Sequence, residues 1–200
     1  MKEYRYLINV KGISASGKST RLFMLLDFLK NQGYTFEDFM YKSTNGKVEP
    51  HGLFIKELNL IILGKYYVKH EVFRFQGFDS VSGRQATAKL WSDFIEDVLK
   101  NHNLIIEGAG ITGSFRFRPA YLKARSPQLD LVANYYYNYE EEDKPEYLAR
   151  VKYRSGKEPA KDSMWLGRSG MVRDFEMSLD EEKELGDSMR CAHLGTSRNL

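Results

Sequence analysis

Residues 12–19 read Gly-Ile-Ser-Ala-Ser-Gly-Lys-Ser, and this octapeptide decides the fold class of the chain. It matches the pattern G-x-x-x-x-G-K-[ST] in full, in which glycines let successive backbone N–H groups point at phosphate oxygens. An apolar strand candidate at residues 4–10 precedes it, and residues 20–32 follow with leucines at helical spacing. A strand, a glycine-rich loop and a helix in this order are the context of a phosphate-binding loop.

The motif predicts which residues hold a nucleoside triphosphate. Lys18 is expected to reach the β- and γ-phosphates of ATP and to act in catalysis, and Ser19 is expected to ligate Mg²⁺. The alternative is a glycine turn with a solvated lysine, which the flanking strand and helix disfavour. The expected ATP-binding residues are Gly12, Ser14, Ala15, Ser16, Gly17, Lys18, Ser19 and Thr20.

Length and composition limit the classes that remain. A chain of 200 residues has room for one domain, or for one domain with an appendage. Its 42% hydrophobic and 14% aromatic residues exclude disorder for most of the chain, and its net charge of +3 suits a polyanionic partner without demanding one. The chain lacks the Asn-Lys-x-Asp motif of GTPases and is short for a helicase, which favours a small kinase.

The cysteine and histidine content excludes other kinds of site. Cys191 is the single cysteine, so no disulfide framework exists, and the four histidines lack the spacing of zinc ligands. No apolar run approaches the ~20 residues of a membrane span, and residues 1–12 carry charges that a secretory signal would not. We therefore expect a cytoplasmic protein without a membrane partner.

The alternation of strand and helix patterns predicts an α/β fold with a central, mainly parallel sheet flanked by helices. The pattern adds a β-hairpin at residues 52–68 and a helical lid that bears arginines. We expect a kinase domain over residues 1–160, with the lid at about 139–160. Residues 161–200 are expected to form a helical or irregular extension packed on the same domain, loosely held from Gly186 onward.

Arg150 and Arg154 are the lid arginines. They lie four residues apart in a predicted helix and therefore share a face, from which they would clamp the charge of the migrating phosphoryl group. The alternative is a solvated helix face that pairs with the acidic residues 140–146.

Two carboxylates are candidates for the chemistry. Glu107 ends the apolar strand Asn-Leu-Ile-Ile-Glu-Gly and is expected to hold Mg²⁺ through water, or else only to hydrogen-bond the loop. Asp79, in Gly-Phe-Asp-Ser, is expected to orient an acceptor hydroxyl and take its proton. Its alternative role is to cap the helix predicted from Arg84, for which Ser82 is the better cap. Which carboxylate is the general base stays open.

Basic and aromatic residues predict where an acceptor binds. Arg125 lies close to a group in which arginines alternate with Phe115, Phe117 and Tyr121, and bases stack on such rings while arginines contact phosphates. The alternative is an amphipathic helix whose aromatic rings belong to the core. The expected substrate-binding residues are Arg74, Gln76, Arg84, Arg116 and Arg118.

The order of these motifs resembles that of the small P-loop kinases with which bacteriophages modify DNA. Leu-Gly-Lys-Tyr-Tyr at residues 63–67 and Gly-Phe-Asp-Ser at residues 77–80 point to the hydroxymethyluracil DNA kinase family, over about residues 4–157. The resemblance implies Lys18 and Ser19 on ATP–Mg²⁺, Asp79 as the base, and action in the cytoplasm of a phage-infected cell.

We therefore expect an ATP-dependent, P-loop nucleotide-kinase-like enzyme that phosphorylates a hydroxyl of a nucleotide, namely a hydroxymethylated pyrimidine in phage DNA. The alternatives are a kinase of free nucleotides or nucleosides and a non-catalytic ATP-binding accessory protein. The sequence leaves the oligomeric state open.

Overall fold

Strands and helices alternate along most of the chain. The structure is a computed structural model that describes residues 4–69, 72–108, 114–155 and 163–194. The strands are β1 (Tyr6–Gly12), β2 (Phe36–Lys42), β3 (Val48–Ile55), β4 (Leu60–Leu63), β5 (Lys65–Lys69), β6 (Val72–Gln76), β7 (Asn103–Gly108), β8 (Leu131–Tyr137) and β9 (Met189–Leu194). The helices are α1 (Lys18–Asn31), α2 (Ala88–Leu99), α3 (Pro119–Arg125), α4 (Lys144–Ser155) and α5 (Ser163–Leu185).

Seven of the strands form one sheet in the order β2-β3-β4-β7-β1-β8-β9. The five strands from β4 to β9 run parallel, and β2 and β3 are antiparallel at one edge. The predicted α/β class with a mainly parallel, helix-flanked sheet is confirmed. In the register of the sheet, Val10 of β1 lies opposite Glu107 of β7, and Gly12 lies opposite Tyr137 of β8. The loop after β1 therefore emerges between the carboxyl ends of two neighbouring strands, where α/β proteins bind ligands.

Two hairpins lie on the β4 side of the sheet. The hairpin predicted at residues 52–68 corresponds to β3 and β4, joined by a 3₁₀ turn at Lys56–Leu58, although β3 begins earlier than expected. A second hairpin, β5–β6, forms a separate two-stranded ribbon. It follows directly on β4, so it leaves the sheet at the edge where β1 and β7 also end.

The core has two layers, one on each face of the sheet. Leucines of α1, including Leu22 and Leu26, pack on one face with the outer strands. On the other face, α2 buries Trp91 and Phe94 together with residues of α3 and the end of α5. The apolar spacing of α2 predicts this burial correctly, since residues three and four apart share a helix face.

The start of α2 corrects two predictions. Its N-cap is Thr87, whose hydroxyl accepts a hydrogen bond from the backbone N–H of Leu90 at 3.2 Å. Ser82 instead begins a separate 3₁₀ turn, Ser82–Arg84, and Asp79 lies in another at Phe78–Ser80. Neither residue caps α2, because that helix begins only at Ala88.

The C-terminal part of the described chain joins the sheet. Helix α5 crosses one face, and β9 pairs in parallel with β8 from Met189 to Leu194. The expectation of a loosely held segment from Gly186 is wrong for these six residues, whose backbone is hydrogen-bonded into the sheet. Within the described ranges, no helix is long and apolar enough to cross a membrane.

Candidate active site

The loop between β1 and α1, the phosphate loop predicted from the sequence, needs glycine at both ends of the motif. A Cβ on Gly12 would lie 2.3 Å from the carbonyl oxygen of Tyr137 and 2.7 Å from Oγ of Ser16, distances that no side chain tolerates. Gly17 has a φ of 92° where α1 begins, a left-handed conformation that favours glycine. The loop therefore curls tightly against β8 before it enters the helix.

Ala15, in the turn of this loop, has a left-handed backbone conformation that is uncommon for alanine. Its φ is 63°, and its carbonyl oxygen accepts a hydrogen bond of 2.8 Å from the hydroxyl of Tyr139. Burial raises the pKa of Tyr139, whereas the nearby guanidinium of Arg150 acts in the opposite direction. Tyr139, which follows β8 at the start of the expected lid, thus holds the phosphate loop by a hydrogen bond. Sequence analysis did not identify Tyr139.

Three of the predicted site residues meet at the carboxyl end of β7. The ammonium of Lys18 donates to the carbonyl oxygen of Ile13 at 2.9 Å and lies 3.6 Å from Oε1 of Glu107. The hydroxyl of Ser19 donates to the same carboxylate oxygen at 3.3 Å. Lys18 is 5% exposed and Glu107 is 3% exposed. A cation, a hydroxyl and a carboxylate therefore converge in a recessed position beside the phosphate loop.

Gly77 packs directly against this carboxylate. A Cβ on Gly77 would lie only 1.6 Å from Oε2 of Glu107, so the side chain of Glu107 fills the space that any other residue type would need. Asp79 follows two residues later in the 3₁₀ turn Phe78–Ser80. The backbone that carries Asp79 is therefore close to Glu107, while the side chain of Asp79 lies outside the described part. Its catalytic role stays a prediction.

Helix α4, the predicted lid helix, lies next to the phosphate loop. Tyr147 and Val151 of α4 pack in one buried cluster with Ile13 of the loop and Trp165 of α5. The guanidinium of Arg150 donates to the Glu146 carboxylate of its own helix at 2.5 Å, an ion pair of the kind that the alternative reading expects. The side chain of Arg154 is outside the described part, and the role of both arginines stays a prediction.

The basic and aromatic cluster separates into three environments. Arg116 places its guanidinium over the ring of Phe115 at 4.5 Å, and Phe115 is 51% exposed. By contrast, Arg118 lies 3.8 Å from the Asp174 carboxylate, and Arg125 binds Glu96 through several hydrogen bonds of 2.9 to 3.2 Å. Phe117 is buried in the core. Arg116 and Phe115 are the members of the cluster whose described contacts suit a nucleic-acid partner.

The other predicted substrate residues are on the hairpin side of the sheet. Arg84 lies with its Nε 3.3 Å from the carboxylate of Glu49, which in turn accepts a hydrogen bond from the hydroxyl of Ser43. The side chains of Arg74 and Gln76 are outside the described part, although their backbone belongs to β6. Acceptor binding by these three residues stays a prediction.

A buried polar network next to the loop was missed by sequence analysis. Lys11, which directly precedes Gly12, is fully buried, and its ammonium donates to Asp174 of α5 at 2.7 Å. The hydroxyl of Tyr136 donates to the same carboxylate oxygen, also at 2.7 Å. Burial lowers the pKa of Lys11 and the charge of Asp174 opposes that shift. Lys11 could have been noticed, because it lies four residues after Leu7 and therefore on the same buried face of β1.

The described residues fit a magnesium ion held mainly by phosphates and water. They contain no group of three His, Cys, Asp or Glu side chains that could hold a metal by themselves. The hydroxyl of Ser19 and the carboxylate of Glu107 are hard oxygen donors within hydrogen-bond distance of each other. Mg²⁺ in phosphate sites commonly takes one or two protein oxygens and completes its shell elsewhere.

Comparisons with known proteins identify a family for the chain. A family model for 5-hmdU DNA kinase 2 matches residues 4–195. A 5-hmdU DNA kinase 2 of Salmonella phage ViI is 30% identical over 183 residues, which cover 90% of this chain and 58% of the relative. The match extends beyond residue 157, where the resemblance was expected to stop, and includes α5 and β9. The match over almost the whole chain confirms the expected resemblance, and the chain therefore belongs to the 5-hmdU DNA kinase 2 family.

Proposed function

We propose that this chain is an ATP-dependent kinase with a P-loop nucleotide-kinase-like fold. It transfers the γ-phosphoryl group of ATP to the 5-hydroxymethyl oxygen of hydroxymethyldeoxyuridine in DNA, in the cytoplasm of a phage-infected cell. The observation that carries the proposal is the convergence of Lys18, Ser19 and Glu107 within 3.6 Å at the end of the phosphate loop. The substrate follows from the name of the family, whose phage ViI member is described as a 5-hmdU DNA kinase.

The phosphate loop supports binding of the donor. Backbone N–H groups of the loop would bind the phosphates of ATP, and the ammonium of Lys18 would neutralise the β- and γ-phosphate charge. Ser19 and Glu107 would hold Mg²⁺, which neutralises the charge that develops on the β- and γ-oxygens when it is bound. Arg150 and Arg154 of the lid, about residues 139–160, would cover the γ-phosphate and exclude water.

The acceptor step assigns different tasks to the two carboxylates. Glu107 already interacts with Lys18 and Ser19. That leaves Asp79 to accept the proton of the hydroxymethyl group while its oxygen forms the new bond to the γ-phosphorus. The bond from that phosphorus to the bridging β,γ-oxygen breaks, and ADP departs with the bonding electrons. Arg84 and Arg116 lie on the acceptor side in this proposal, and Arg74, Gln76 and Arg118 complete the expected contacts.

The test is transfer of label from γ-labelled ATP to a panel of acceptors. We expect label on an oligonucleotide that contains hydroxymethyldeoxyuridine and none on the same oligonucleotide with thymidine, which lacks the hydroxyl. Label confined to free nucleosides or nucleotides would favour a kinase of small molecules. ATP binding without transfer to any acceptor would favour an accessory protein.

Two pairs of variants test the roles proposed for the site residues. Lys18→Ala should abolish transfer, whereas Lys30→Ala, an exposed lysine in the last turn of α1, should not change it. Asp79→Asn should lower turnover by ~10² to 10⁴, the usual contribution of a general base, with an unchanged KM for ATP. Glu107→Gln should instead raise the Mg²⁺ concentration that half-saturates the enzyme. Normal turnover of Asp79→Asn would transfer the role of base to Glu107.

A further inference from the structure

The described side chains beside the expected phosphate site are buried. Lys18, Glu107 and Ser16 are at most 5% exposed. The acceptor oxygen must come within ~2.6–3.2 Å of the group that takes its proton. In a stacked duplex, however, the C5 substituent of a pyrimidine lies within the major groove, which is roughly 12 Å wide and 8.5 Å deep.

The edge of the sheet is too wide to enter that groove. The groove admits an α-helix or a two-stranded ribbon. The phosphate loop stands at the ends of β4, β7, β1 and β8, which are hydrogen-bonded neighbours. Four strands at about 4.8 Å spacing span roughly 14 Å before any side chain is added. The donor phosphate therefore cannot be carried to the base, and the base must come to the phosphate.

We propose that the acceptor pyrimidine is turned out of the DNA helix toward the site formed by Lys18, Ser19 and Glu107, and that Phe115 and Arg116 stack on the unstacked DNA bases. This inference rests on the proposed function, since it assumes that DNA is the acceptor. Enzymes that modify a base inside a duplex commonly pay an unstacking energy of a few kcal/mol in this way.

A chain of contacts connects Phe115 to the carboxylate of Glu107. Gly77 touches the carboxylate of Glu107, and the next residue, Phe78, has its ring 6.2 Å from the ring of Phe117. Phe115 belongs to the same 3₁₀ turn as Phe117 but points outward, with half of its surface exposed. An exposed aromatic ring is thus held close to the turn that carries Asp79.

The surroundings of Phe115 suit a nucleobase. The guanidinium of Arg116 lies 4.5 Å over the ring, and the ring of Tyr121 meets it edge-on at 5.5 Å. Bases stack on aromatic rings and on guanidinium planes alike, and the cation favours the phosphates of the strand. The edge contact with Tyr121 fixes the ring, so little side-chain entropy remains to be lost when a base stacks on it.

The first test compares oligonucleotides that carry one hydroxymethyldeoxyuridine. The acceptor is presented in a matched duplex, opposite an abasic site, and in a single strand, with 2-aminopurine as its neighbour. We expect kcat/KM to rise at least about tenfold when the pairing partner is removed, because the unpairing penalty disappears. Fluorescence of 2-aminopurine should also rise when the matched duplex binds. Equal rates on the three substrates with unchanged fluorescence would overturn the inference alone, whereas no transfer to any of them would overturn the proposed function as well.

The second test removes the stacking surface. Phe115→Ala should raise the KM for DNA by about 5- to 100-fold, the usual worth of stacking on one aromatic ring. Its KM for ATP should not change. The control is Phe28→Ala on α1, a phenylalanine that is 58% exposed and makes no part of the site. Equal KM values for DNA in the Phe115 and Phe28 variants would contradict the stacking role.

Discussion

Replacing Gly77 by alanine should inactivate the protein without unfolding it. The new Cβ would lie 1.6 Å from Oε2 of Glu107 and 2.7 Å from its carboxyl carbon, whereas real Cβ contacts are essentially never shorter than 3.0 Å. The carboxylate oxygen must therefore retreat by about 1.4 Å. Because Oε1 belongs to the same rigid carboxyl group, its 3.3 Å hydrogen bond from Ser19 and its distance to the ammonium of Lys18 change when the group moves.

The size of the effect follows from this displacement. A misplacement of ~1 Å at a reacting centre can lower a rate by about 10²-fold, so we expect Gly77→Ala to lose at least that much in kcat. The new Cβ also lies 2.9 Å from the backbone carbonyl oxygen of Glu107, only just inside the 3.0 Å limit, so the backbone has to shift little and the free energy of unfolding should fall only modestly. Gly83→Ala is the matched control, because a Cβ at Gly83 meets nothing within 4 Å and lies in the same segment.

The assay is label transfer from γ-labelled ATP to DNA that contains hydroxymethyldeoxyuridine, together with urea denaturation of each variant. In the double variant Gly77→Ala/Glu107→Asp, the shorter aspartate leaves room for the new methyl group. The losses of turnover caused by the two substitutions should therefore be non-additive. Turnover of Gly77→Ala within about threefold of Gly83→Ala, at equal stability, would refute the placement of Glu107 beside Gly77.

Three further predictions concern the surroundings of the site. Tyr139→Phe should raise the KM for ATP by about 2- to 10-fold at unchanged kcat, because the hydroxyl that fastens Ala15 is lost; an unchanged KM would contradict this. Asp174→Asn should lower the free energy of unfolding by about 3–5 kcal/mol in urea, since it leaves the ammonium of Lys11 buried beside an uncharged partner, and Lys11→Met/Asp174→Leu should recover most of the loss. Burial lowers the pKa of His51 below its ordinary 6.5, so the unfolded chain binds protons more readily than the folded chain. Stability should therefore fall as the pH drops below 6.5, more steeply for the wild type than for His51→Gln, and parallel curves would contradict the assignment.

The parts of the site that sequence analysis predicted are those whose determinants are local. The phosphate loop lies within eight consecutive residues, and its glycines are required by contacts that the motif itself creates. Glu107 was predicted as a site residue because a carboxylate at the end of a buried strand is expected at the ligand-binding edge of a parallel sheet, and its Oε1 lies 3.6 Å from the ammonium of Lys18. The position of Gly77 against that carboxylate depends instead on how two separate segments meet. No local pattern reports such a contact.

Helix starts show a similar limit. The apolar spacing of α2 is clear from Trp91 onward, but the residues before it offer several serines and an aspartate that could each cap a helix. The structure uses Thr87 and keeps the preceding residues in two 3₁₀ turns, one of which buries Phe78 in the core. Tertiary packing of Phe78 on Trp91, with rings 4.4 Å apart, decides among caps that are locally equivalent.

The ion pair between Lys11 and Asp174 was not predicted because the strand β9 was not predicted. Connections between parallel strands are right-handed. Two connections that lead to opposite edges of the sheet therefore place their helices on opposite faces. From β1 the chain moves toward β4, which puts α1 on one face. From β8 it moves the other way to β9, which puts α5 on the face where Lys11 points. Anyone who recognised β9 could have deduced that α5 supplies the acid for this lysine, although the two residues are 163 positions apart.

But β9 is an edge strand in which only Met189 is fully buried, so its sequence lacks the apolar run that identifies β7. Because β9 has no clear apolar pattern, the face occupied by α5 and the pairing of Asp174 with Lys11 could not be predicted from the sequence.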